Sequence, residues 1–83
     1  MNSIQIKELK EYFHGHGIVV ESSFFEDKNY RLSESVFEKI MDVMLDDFLM
    51  NLDENDEPNK AGLYIEHLRG LVIERYLKAE KQN

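Results

Sequence analysis

The sequence predicts a mainly α-helical single domain over residues 1–83: three helices, the second and third forming an antiparallel hairpin. A short β-hairpin at about residues 18–32 is expected between the first helix and the second. Three observations support this. Apolar residues recur at three- and four-residue steps near 6–13, 36–52 and 61–79, the spacing of one helix face. Gly15, Gly17 and the single proline, Pro58, punctuate the chain between those stretches. At 83 residues and 42% hydrophobic content, there is material for one small core.

The first helix starts at a cap supplied by Asn2 or Ser3 and places Ile6, Leu9, Tyr12 and Phe13 on one face. Lys7, Glu8, Lys10 and Glu11 take the other. The run His14-Gly15-His16-Gly17 ends it, because glycine readily adopts the left-handed backbone that closes helices.

Ile18-Val19-Val20 and Phe24-Phe25 then supply β-branched and aromatic residues. Glu26–Asn29 is a polar turn, and Tyr30-Arg31-Leu32 resumes alternation. A two-stranded hairpin is marginal in water, so it must lie on the helices or pair with another chain. An extended, irregular segment packed on the helices is the alternative.

For the second helix Ser33 is the expected cap, with Leu32 and Phe37 at hydrophobic-staple positions; Ser35 with Glu38 offers a competing capping box. From Val36 to Leu52, eleven of seventeen residues are apolar. Phe37, Met41, Met44, Leu45, Phe48 and Leu52 form one stripe. Val36, Ile40, Val43 and Met50 form a second, beyond Asp47 and Asn51. A helix apolar over most of its circumference is buried on more than one side.

After an acidic loop, the third helix runs from about Asn59 to Glu80. Ala61, Tyr64, Ile65, Leu68, Leu71, Val72, Tyr76 and Ala79 form its main face. Leu63, Gly70 and Leu77 recur at sevens on the opposite face. A glycine inside a helix costs about 1 kcal/mol relative to alanine. Gly70 is either plain surface or a place where another helix approaches closely.

Net charge is −7, and all of the imbalance sits in one stretch. Asp42, Asp46, Asp47, Asp53, Glu54, Asp56 and Glu57 lie within residues 42–57, which hold no Lys or Arg. Such a field opposes direct binding to nucleic acid or anionic lipid and favours a basic protein partner. Its plainer role is to keep the domain soluble. The absence of cysteine excludes disulfides and thiolate metal sites. No apolar run reaches the roughly 18 residues of a membrane-spanning helix, and the first residues do not resemble a signal peptide. A cytoplasmic protein is expected.

No cofactor or metal is expected. His14 and His16 would need His67 or scattered carboxylates to complete a coordination shell. The loop Asp53–Asn59 misaligns with a calcium loop: counting from Asp53 puts Pro58 where the turn wants glycine, and Tyr64 where a bidentate glutamate belongs. Adjacent acids such as Asp46 and Asp47 point to different helix faces, and no nucleophile elbow or Gly-rich phosphate loop is present. The chain therefore reads as a non-catalytic interaction or regulatory protein, self-associating as a dimer through Val36, Ile40, Val43, Met50, Leu63, Gly70 and Leu77. The alternative is an inhibitor, immunity, antitoxin or phage regulatory protein. In that role its acidic 42–57 surface would meet a basic enzyme or nucleic-acid-binding protein.

Overall fold

The computed structural model describes residues 1–27 and 29–81; Lys28 of the polar turn, the side chains of Ala79, Glu80 and Lys81, and the final Gln82-Asn83 lie outside that description. The protein is mainly α, with α1 at Ser3–Gly15, α2 at Ser23–Glu26, α3 at Glu34–Leu49 and α4 at Lys60–Lys81. Among the described residues no strand forms. Leu52 and Pro58 make one isolated antiparallel bridge.

Helix α1 begins with a reciprocal cap. The Asn2 side chain accepts the Gln5 backbone N–H at 2.8 Å, and the Gln5 side chain accepts the Asn2 N–H at 3.0 Å. Asn2 is therefore the cap, and Ser3 is the first helical residue. At the other end Gly17 takes φ 66°, and the Ile18 N–H returns to the Phe13 carbonyl at 2.9 Å.

The β-hairpin expected at 18–32 does not form. Residues 18–21 and 30–33 take no regular secondary structure, and Ser23–Glu26 coils into one helical turn. Phe24 and Phe25 explain why. In a strand, adjacent side chains point to opposite faces. On a helical turn both rings reach Phe13, at centroid distances of 6.1 and 5.9 Å, and meet each other edge to face at 4.9 Å. Phe24 is thereby buried completely. Arg75 of α4 then satisfies the end of the turn, donating from Nε to the Phe24 carbonyl at 3.3 Å and from a terminal nitrogen to the Asp27 carbonyl.

Ser33 caps α3, its hydroxyl accepting the Val36 N–H at 3.3 Å; Ser35, already inside the helix, does not compete. The helix stops at Leu49, short of the expected Leu52. Asn51 causes the stop. Its side-chain amide donates to the Asp47 carbonyl at 2.7 Å, taking the acceptor that another turn of helix would have used. Its own backbone N–H turns instead to Phe48.

Helices α3 and α4 pack together. The contacts retreat along α3 as they advance along α4. Asn51 meets Gly62, Leu45 and Phe48 border a small space with Glu66 and Arg69, and Phe37 stacks on Tyr76 at 4.0 Å. Gly62 permits the first of these contacts, since a Cβ there would lie 2.9 Å from the Asn51 carbonyl oxygen. The Asn59 side chain receives the Gly62 N–H at 2.8 Å and so caps α4.

Leu9, Phe13, Phe24, Leu32, Ile40, Met44, Ile65, Leu68, Leu71 and Val72 form the core, with no polar side chain buried among the described residues. Ile40 departs from its expected place. At 2% exposure it is a core residue and offers nothing to a second molecule. The expected main face of α4 holds from Ile65 to Tyr76, whereas Ala61 is exposed. Tyr64 is instead 41% exposed and donates its hydroxyl to Glu8 at 2.7 Å. Among the described residues no helix is long and apolar enough to cross a membrane.

Candidate functional site

The segment that replaces the hairpin runs beside α3 and opens two adjoining grooves. One, of about 530 Å³, lies between His16–Val19 and Val36, Lys39, Asp42 and Val43, with Ile40 at its floor. The other, of about 470 Å³, separates Val19–Glu21 from Tyr30–Ser33 and again reaches Val36. Val19 and Val36 border both, so the two grooves make one apolar surface. Val19, on the border the two grooves share, stands 89% exposed.

The wall carrying Val19 is held in place by a clasp between α1 and α3. Asp47 accepts the Tyr12 hydroxyl at 2.7 Å, and its same oxygen lies 3.0 Å from His16 Nε2. The other ring nitrogen of His16 faces the Tyr12 carbonyl at 2.9 Å, and the imidazole stacks on the Tyr12 ring at 4.0 Å. The Asn51 amide approaches the second Asp47 oxygen at 3.4 Å. Burial, reinforced by the bond to Asp47 and by its charge, pushes the Tyr12 phenol well above its ordinary range. The Glu8 carboxylate likewise holds the Tyr64 phenol up at about 12, and Lys78 lowers Glu74.

The residues expected to mediate self-association divide into three groups. Val36 and Val43 are half-buried and line the groove, whereas Ile40 is closed off beneath them. Met50, 83% exposed, caps α3 outside the groove. Leu63, Gly70 and Leu77 form an exposed line on α4, and the space where a Gly70 Cβ would stand is open. No other described helix packs on Gly70. Ile18, Val19, Val20 and Tyr30–Leu32 were absent from the expected set, although the β-branched run at 18–20 marked them as apolar and extended.

The acidic surface is smaller than the sequence suggests. Asp47 faces inward to Tyr12 and His16. Asp53 turns back into its own loop, where one carboxylate oxygen accepts the N–H groups of Asn55 and Glu57 at 2.8 and 3.0 Å. Asp42, Asp46, Asp53, Glu54, Asp56 and Glu57 remain exposed, with no ion pair among the described residues. Among those residues no three His, Asp or Glu side chains converge as a metal site. His16 is committed to the clasp, and His14 and His67 are exposed. Comparison of the chain with protein-family models, curated proteins and solved structures yields no match.

Proposed function

We propose that this is a non-catalytic interaction protein that self-associates through the apolar surface beside α3. One observation carries the reading: an almost fully exposed Val19 borders a groove lined by Val36 and Val43. Covering such a surface removes apolar area from water, at roughly 25 cal/mol per Å². A closed dimer is its simplest cover, because each chain brings the same patch. Sedimentation velocity from micromolar to millimolar protein tests this. The wild type is expected to dimerise and the double variant Val19→Asp, Val43→Asp to remain monomeric. A wild type that stays monomeric throughout overturns it.

The exposed acids support a second reading, in which Asp42, Asp46, Glu54 and Asp56 meet a basic protein. Neutralising those four residues is then expected to abolish capture of that partner, as is high salt. Capture insensitive to both overturns it.

A further inference from the structure

Both nitrogens of the His16 ring face oxygens that only accept. Nδ1 lies 2.9 Å from the Tyr12 carbonyl, and Nε2 lies 3.0 Å from the Asp47 carboxylate. A neutral imidazole carries one N–H and one lone pair, so either tautomer points a lone pair at one of the two oxygens. The imidazolium carries two N–H groups and satisfies both. Two further features favour the charged ring. It stacks on the Tyr12 phenol with the planes 20° apart, which sets the cation on a π-face. His16 is also the C-cap of α1, at the negative end of a 13-residue helix.

We propose that His16 is a proton-operated latch that holds the Val19 wall of the groove against α3. With its proton, the ring ties the end of α1 to Asp47 and fixes Gly17, Ile18 and Val19, which follow it directly in the chain. Without the proton, one of the two bonds is lost and a lone pair meets an oxygen. The ring then turns out into water, a route left open because its side chain is already 35% exposed. Tyr12 keeps its own bond to Asp47, so α1 stays on α3 while the segment after it comes loose.

The other charged groups around the ring do not reverse this. Tyr12 of α1 and Asp47 of α3 touch it, and the Asn51 amide behind Asp47 is uncharged. Lys39 and Asp42 of α3 line the same groove, and their charges cancel. His14, on the same helix, is exposed. Histidine is the side chain that ordinarily changes charge between about pH 5 and 8. The latch is therefore closed on the acid side of that window and opens as pH rises through it. Its bearing on association rests on the self-association reading: a held wall is the form on which a second copy docks, so the dimer is favoured on the acid side.

Amide hydrogen exchange of the intact chain at about pH 5.5 and about pH 8 tests the latch, each rate taken relative to an unstructured peptide at the same pH. The N–H groups of Gly17 and Ile18, bonded to the His14 and Phe13 carbonyls at 3.3 and 2.9 Å, report on it. Their protection is expected to be about tenfold greater at the lower pH. His16→Gln, which has no titratable ring, is expected to remove that difference while circular dichroism shows unchanged helix content. His14→Gln and His67→Gln are expected to keep it. Equal protection at the two pH values in the wild type overturns the latch, and so does a difference that survives His16→Gln. Sedimentation at the same two pH values reads association separately. A dimer equally strong at both, beside a working latch, overturns the link between them. A monomer at both overturns self-association and leaves the latch standing.

Discussion

Two linkers join the long helices, and they treat their backbones in opposite ways. Residues 50–59, between α3 and α4, close on themselves. The Asp53 N–H meets the Glu57 carbonyl at 2.7 Å, the Asn59 N–H meets the Asn51 carbonyl at 2.9 Å, and the side chains of Asn51, Asp53 and Asn59 take further partners. Residues 17–33, between α1 and α3, are anchored in the core at Phe24 and Leu32, and among the described residues the N–H groups of Val19, Val20, Arg31 and Leu32 find no partner. The contrast follows from composition. Asn and Asp carry acceptors that reach nearby N–H groups, whereas Ile and Val have none to offer. A linker of β-branched residues must find its partners in water or in another molecule.

Phe24 is the most deeply buried anchor of the open linker, so Phe24→Ala is expected to have the largest effect. Removing this buried ring costs about 3–5 kcal/mol of stability, which urea denaturation would register as a lower midpoint. The closed linker depends on contact rather than anchorage. Gly62→Ala sets a methyl group 2.9 Å from the Asn51 carbonyl and is expected to cost about 1–3 kcal/mol. Gly70→Ala, on the same helix but in open space, is expected to stabilise by up to about 1 kcal/mol. Equal thermal shifts for the two glycine variants would dissolve the contrast.

The clasp beside the open linker gives a smaller, pH-dependent effect. The Tyr12 phenol is held in its neutral form, so its contribution is complete below the ordinary tyrosine pKa of about 10 and fades as pH rises above it. Tyr12→Phe is expected to cost about 1–2 kcal/mol at neutral pH and to lessen the loss of stability above pH 10. Tyr64 shifts in the same direction, but its exposed position leaves it little weight. Thermal melts at pH 8 and above pH 10 measure the difference between wild type and variant.

Local chemistry was legible in the sequence wherever one residue acts on its near neighbours. Asn2 and Ser33 as caps, Gly17 as a terminator and the face from Ile65 to Val72 can all be read from spacing. Choices made across the chain could not be. Whether Phe24 and Phe25 lie on a strand or a helical turn depends on Phe13 and Arg75, which are remote in sequence. Ile40 lies on the apolar side of α3 under either outcome, and only the placement of 18–32 shows that it is covered. Asp47 looks like one acid in a row of seven, yet Tyr12 and His16 turn it inward. The candidate surface was therefore visible by half: Val36 and Val43 were evident, and the wall facing them was not.

The two bonds from Arg75 have a consequence for the order in which the chain folds. They reach across sequence separations of 51 and 48 residues to the carbonyls that end α2. A four-residue helix has almost no autonomous stability, because nucleation fixes more torsions than its few bonds reward. The turn at Ser23–Glu26 is therefore expected to need the far end of α4 in place, which native-state hydrogen exchange would register as weaker amide protection there than in the long helices. Unfolding that starts by lifting the distal part of α4 would set the 18–33 segment free as a unit, before α3 and α4 come apart at Asn51 and Gly62.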